Sequence, residues 1–143
     1  MGLNHNVWLP HLKFTLQTIA ITYPAHPNDV SKKKYYDFIQ NLPVFFPLEP
    51  FGENFLKLLD KYPVTPYLSS RMSFMKWIHF ILNKIHEQLE QPVDEFYDSL
   101  EKYYDEYKPK EIRNREIIKT KKRYIQFASA LLITLGIVYF YKK

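Results

Sequence analysis

The 143-residue chain carries a formal charge of +5, 46% hydrophobic residues and 17% aromatic residues, with 12 Tyr, 11 Phe, three Gly and no Cys. The missing cysteine excludes disulfides, thiol catalysis and cysteine-ligated metals within this chain, and three glycines leave little for a strand-and-turn architecture or a Gly-rich phosphate loop. The length suits one compact domain plus a small appendage, and the charge excess is local: eight Lys or Arg stand against two Glu between Lys108 and Arg123.

Trp8 to Tyr23 puts Leu9, Leu12, Leu16, Ile19 and Ala20 at helical spacing and ends before Pro24, which predicts a first helix. Ser31 is the expected N-cap of a second helix running to about Leu42, with Tyr35, Phe38, Ile39 and Leu42 facing inward. Pro47 and Pro50 bracket a turn, after which Phe51, Phe55, Leu58 and Leu59 recur at helical spacing in a third helix. Ser69 or Ser70 caps a long fourth helix to Leu89, with Phe74, Trp77, Ile78, Ile81, Leu82, Ile85 and Leu89 on its apolar side. Pro92 stands where the first turn of a fifth helix is expected, Asp94 and Glu95 suit its N-terminal dipole, and the helix fades near Pro109. Short helices joined by brief loops make a small four- to five-helix bundle.

The remaining segment reads differently. Ile125 to Tyr141 is 17 residues without a charge, closed by Lys142 and Lys143, and as a helix it would reach roughly 26 Å. Tyr124, Tyr139 and Tyr141 stand at its two ends with basic residues outside them, as interfacial anchors do. The expected organisation is therefore a bundle over 1–107, a basic juxtamembrane linker over 108–123, a transmembrane helix over 124–141 and a basic tail at 142–143. The basic run suits anionic lipid headgroups better than nucleic acid because it abuts the span.

No other chemistry stands out. His79 and His86 lie two helical turns apart, too far for a shared ion without further ligands, and His5, His11 and His26 have no ligand spacing. Glu87, Glu90, Asp94 and Glu95 are expected to form a solvated acidic face. No Ser-His-Asp order or nucleophile elbow is present. No catalytic, cofactor-binding or metal-binding residue is expected.

"LQTIAITYP" (16–24), "YYDFIQ" (35–40), "FFPLEPFGENF" (45–55) and "SSRMSFMKWIHFILNKIHEQLEQP" (69–92) resemble, in order and over about residues 8 to 96, the Erv/ALR family of FAD-linked sulfhydryl oxidases. The resemblance implies a helical bundle that holds FAD beside a Cys-x-x-Cys disulfide. The departures fall on the chemistry. Pro47 is kept, but Leu48 and Phe51 occupy the two cysteine positions. Lys13 and Gln17 replace the first-helix Trp and His, beside retained Leu16, Thr18 and Ala20. On the fourth helix Leu82 and His86 replace flavin-packing residues and only Asn83 of that motif survives, whereas Trp77 and the Ser70-Arg71 pair are kept.

This pattern implies a degenerate, non-enzymatic member of the family. The expected role is a membrane-anchored accessory subunit of a protein complex, most simply at the mitochondrial inner membrane with the bundle in the intermembrane space. Protein subunits and membrane lipids are the expected partners, and no cofactor is expected. The runners-up are a virion membrane- or capsid-associated protein of a large DNA virus, a residual FAD-binding protein and a membrane-surface adaptor. Leu48 and Phe51 are expected to fill the former cavity, against Leu16, Trp77, Ile81 and Leu82.

Overall fold

The computed structural model describes residues 3–46 and 51–141, apart from some side chains in the last helix. Among the described residues all regular structure is helical. Six α-helices run in the order α1 (His5–Ile21), α2 (Asp29–Asn41), α3 (Phe51–Lys61), α4 (Arg71–Gln88), α5 (Phe96–Asp105) and α6 (Lys110–Tyr141), with short 3₁₀ turns at Leu42–Phe45 and Thr65–Ser69. The chain divides into two compact units, Met1–Tyr103 and Tyr104–Lys143.

Capping chemistry sets the helix starts. Asn4 accepts a hydrogen bond from the Asn6 amide, so α1 begins at His5, one turn before the apolar pattern at Trp8. The expected Ser31 cap is corrected: Asn28 caps α2, its Oδ1 accepting from the Ser31 amide at 2.8 Å. Ser31 is instead the residue whose orphan N–H is satisfied. Ser70 caps α4 as expected, accepting from the Ser73 amide at 3.2 Å. At the other end of α4 the Gln91 amide donates to the His86 carbonyl and the Glu90 amide to that of Glu87, a Schellman closure with Glu90 at φ 53°.

The core lies between α1 and α4 and is closed by α2 and α3. Leu9, Leu16 and Ala20 meet Phe74, Trp77, Ile78, Ile81, Leu82 and Ile85, while Phe51, Phe55, Leu58 and Leu59 of α3 seal one side. The inward face of α2 is narrower than its spacing implies. Ile39 and Leu42 are buried, Tyr35 is half-buried and Phe38 is exposed. α3 approaches the preceding 3₁₀ turn closely at Gly52, where a Cβ would stand 3.0 Å from the Pro43 carbonyl oxygen. Only a residue without that carbon fits there without displacement.

Two expectations about the second half change. α5 begins at Phe96, not near Pro92, and residues 91–95 have no regular structure. The stretch expected as a linker and the stretch expected as a span belong to one continuous helix, α6. Among the described residues no helix is long and apolar enough to cross a membrane, so the expected C-terminal transmembrane anchor is not supported by the structure. Positions 136, 138 and 140 of the uncharged run have side chains outside the described set.

Candidate functional site

The positions that the resemblance assigns to redox chemistry fall in two places. The first is the corner before α3. Leu48, with Pro47, Glu49 and Pro50, lies outside the described residues. Phe51 is described and buried. Its ring meets Trp8 edge-on at 5.0 Å and Phe46 at 4.9 Å, and Phe46 in turn meets Phe55 at 5.1 Å. The rings that contact Phe51 are therefore contributed by the start of α1 and by the residue just after the 3₁₀ turn, although Leu16, Trp77, Ile81 and Leu82 belong to the same buried cluster. Trp8 carried no weight in the sequence reading beyond starting a helix. Its spacing to Phe51 is visible only after folding.

The second place is the junction of α1, α4 and the segment leading into α5. Lys13 Nζ lies 2.9 Å from Asp94 Oδ2, and Lys102 pairs with the other carboxylate oxygen. Gln17 Nε2 donates to Ser99 Oγ at 3.0 Å, and the Thr18 and Tyr103 hydroxyls are 2.9 Å apart. Phe14 stacks on Tyr103 at 4.9 Å. Asn83 Nδ2 donates to the Asp94 carbonyl at 2.9 Å and stands 3.1 Å from His79 Nε2. An amide nitrogen only donates, so His79 Nε2 accepts and that imidazole is neutral. Burial, followed by the nearby Lys13 charge, lowers its pKa, in agreement. His86 Nδ1 donates to the Pro92 carbonyl at 3.1 Å.

Asp94 is thus not part of a solvated acidic face, and the expectation is corrected. Its hydrogen bond with Lys102, helped by Lys13 and opposed by burial, lowers its pKa to about 2. The commitment of its carboxylate to two lysines and of its carbonyl to Asn83 holds Asp94 in the irregular stretch ahead of α5. Sequence reasoning assigned Lys13 and Gln17 as lost contacts, and had no signal for what they gained. Their partners lie 81 and 82 residues away.

Metal chemistry has no site among the described residues, where no group of three or more acidic or imidazole side chains converges. The flavin implied by the resemblance can be tested against the residues present. Lys13 and Gln17 are engaged by Asp94 and Ser99, and Leu82 is buried in the core. The cavity at this junction, lined by Gln17, Ala20, His79, Phe96 and Ser99 among others, measures about 20 Å³. That is room for about one water, whereas ligand sites run to about 300–1,000 Å³. These residues do not fit the group.

The Erv1 / Alr family profile matches residues 14–108. The chain belongs to the Erv1/Alr family. Among curated proteins it is 35% identical over 69 residues to a probable FAD-linked sulfhydryl oxidase of Acanthamoeba polyphaga mimivirus, covering 46% of this chain and 48% of that one. It is 30% identical over 86 residues to the FAD-linked sulfhydryl oxidase ERV2 of Saccharomyces cerevisiae, covering 60% and 43%. The mitochondrial FAD-linked sulfhydryl oxidase erv1 of Schizosaccharomyces pombe is 27% identical over 78 residues, covering 54% and 43%. The matches span less than half the length of each of these relatives. The crystal structure of the yeast Erv1 core has the same fold, with a TM-score of 0.64 at 20% identity, covering 73% of this chain and 87% of that one. The FAD-binding domain of Erv1 from Saccharomyces cerevisiae superposes at 0.62 with 21% identity, over 72% and 97%.

Proposed function

We propose that this Erv1/Alr family member is a non-catalytic, membrane-anchored accessory subunit that keeps the family's scaffold without its redox site. The observation that carries this reading is the cysteine-free sequence combined with Lys13 tied to Asp94 and Gln17 tied to Ser99 of α5. A thiol relay needs a thiolate, and this chain has none. The anchor part of this reading draws on the exposed apolar surface of the second half of α6, although no described helix is long and apolar enough to cross a membrane. Ile125, Phe127, Leu131, Leu132, Ile133, Leu135 and Ile137 all project exposed apolar side chains from a run without a charge. Such a surface needs lipid or protein to cover it.

The test is direct. Purified protein should show no flavin absorbance, and dithiol-dependent oxygen consumption should match the buffer blank. Restoring both cysteines, Leu48→Cys with Phe51→Cys, should not rescue either property, since the α1 and α4 positions differ as well. Near-stoichiometric flavin in the native chain would overturn the reading. Alkaline carbonate should leave the full chain in the membrane pellet, and deletion of 124–143 should release it.

For location, the relative named as mitochondrial favours an inner-membrane anchor with the bundle in the intermembrane space. The mimivirus relative favours the second reading, a structural protein of a large DNA virus. Crosslinking of native membranes followed by mass spectrometry distinguishes them by the subunits recovered.

A further inference from the structure

Residues 91–95 and α5 are fastened to the bundle mainly by polar side chains. The buried residues of α5 are Ser99 and Tyr103, and the strap that leads into it, 91–95, has no regular structure. On the strap, the Asp94 carboxylate pairs with Lys13 and Lys102, and its carbonyl accepts from Asn83 at 2.9 Å. The Pro92 carbonyl accepts from His86 Nδ1 at 3.1 Å. On α5, Ser99 and Tyr103 meet Gln17 and Thr18. An element with few buried apolar groups, held by partly exposed hydrogen bonds, opens before the core does.

One of these bonds depends on a proton. The Asp94 carbonyl needs a donor, which orients the Asn83 amide with Nδ2 toward it. The same nitrogen stands 3.1 Å from His79 Nε2, and the half-buried His79 ring lies edge-on to Phe96, the first residue of α5, at 5.5 Å. A protonated imidazole carries N–H at both nitrogens, so it would meet the Asn83 donor with another donor. The charges facing His79 are Lys13 from α1 and Asp94 and Glu95 from the strap, while α5 offers Phe96 and Ser99, neither of which titrates. Burial and then Lys13 lower the pKa of the ring. The Asp94 carbonyl and the two carboxylates oppose them and lose. His86 differs in kind, because it donates through Nδ1 and a donor bond survives protonation.

We propose that His79 is a pH-sensitive latch: the neutral ring keeps the 91–95 strap and α5 seated on α1 and α4, and its protonation releases them. With α5 released the ring is in water and titrates near about 6.5. As pH falls the released form takes up the proton first, so seating is firm above about 6.5 and weakens below it. Asp94, with its pKa held at about 2, stays ionised throughout this window and is not the trigger. Release opens the small cavity beneath α5 and uncovers Ala20, Met75 and Ile78, an apolar patch that the seated helix covers. The latch needs neither a thiol nor a flavin, and it works whatever covers α6.

The test is hydrogen–deuterium exchange of the full chain in detergent, followed by mass spectrometry at about pH 7.5 and about pH 5.5 and corrected for intrinsic amide exchange. At the lower pH, peptides covering 91–105 should lose protection about fivefold or more, the low end for coupled equilibria, while α3 peptides keep theirs. His79→Gln, whose amide oxygen still accepts from Asn83, should keep 91–105 protected at both pH values. His86→Gln should respond as wild type does. In the wild-type chain the loss should follow the titration of His79 itself, measured by deuterium exchange at its Cε1 position, so the link is decided even where a variant fails to fold. Four results would each overturn the proposal: unchanged protection of 91–105, an equal loss in α3, a loss whose midpoint departs from the His79 titration, or a response kept in His79→Gln. A response abolished in His86→Gln would overturn it as well.

Discussion

The corner before α3 and the junction of α1, α4 and α5 both lie where the family resemblance places redox chemistry, and they hold together by opposite physics. At the corner, Phe51 is surrounded by Trp8 and Phe46, and the interaction is burial with aromatic edge contacts. It is non-directional and grows with apolar area removed from water. At the junction, Lys13, Gln17, Asn83, Asp94, Ser99 and Lys102 form hydrogen bonds and ion pairs whose value depends on partner geometry. The first kind of replacement tolerates any large apolar residue of suitable volume. The second works only as a set, because a half-buried lysine or carboxylate left alone costs more than the pair contributes. On the proposed reading a site is closed by bulk at one place and by pairing at another within one small bundle.

The largest expected effect breaks the corner. Phe51→Ala should destabilise the fold by about 3–5 kcal/mol, as other truncations of a buried Phe do, with a large drop in melting temperature by circular dichroism. If stability is untouched, the ring contacts with Trp8 and Phe46 are idle and the bulk half of the comparison fails.

Breaking the junction should cost less. Asp94→Asn removes two ion pairs and leaves Lys13 without its partner, for an expected loss of about 1–3 kcal/mol. The acid dependence gives the sharper signature. Asp94 has its folded pKa lowered to about 2, and an unfolded Asp titrates near about 3.9. The unfolded chain therefore takes up the proton first as pH falls. The stabilisation is complete above about pH 5 and is lost as pH drops through the window from about 4 to about 2. With the carboxylate partly exposed and screened, its size is of the order of 1–2 kcal/mol. Urea melts of wild type and Asp94→Asn should converge by about pH 2 and differ by a constant amount at neutral pH. A gap that persists undiminished at pH 2 would show that the substitution acts through packing and not through charge.

The smallest expected effect concerns the turn that delivers the junction. Glu90 holds a left-handed conformation that costs a non-glycine residue about 1 kcal/mol or more. Glu90→Gly relieves that strain, partly offset by the greater entropy of the unfolded chain, for a net gain of about 0.5–1 kcal/mol. Equal stability in urea would mean that the Schellman closure already compensates the strain.

Much of this organisation was legible in the residues. The α3 and α4 apolar faces and the Ser70 cap follow from periodicity and capping chemistry, both local in sequence, whereas the assignment of Leu48, Phe51, Gln17 and Leu82 to cysteine and histidine positions is what the family resemblance implies. The helix starts at Asn4 and Asn28 were also locally encoded, but Asn and Ser compete as caps, and Ser31 was the less suitable choice because it sits at the third helical position. The exposed Phe38 shows the limit of spacing: a helix face wide in sequence can be only partly covered when its neighbours are short 3₁₀ turns.

What the sequence determined alone was the helical composition, the order of the first four helices, the lack of any thiol and the uncharged C-terminal run. Each depends on residue type and on neighbours within a turn or two. The tertiary structure decided where Lys13 and Gln17 find partners, where Asp94 is held ahead of α5, and which rings surround Phe51. Those outcomes depend on groups as far as 82 residues apart, and a hydrogen bond across that distance has no local pattern to announce it.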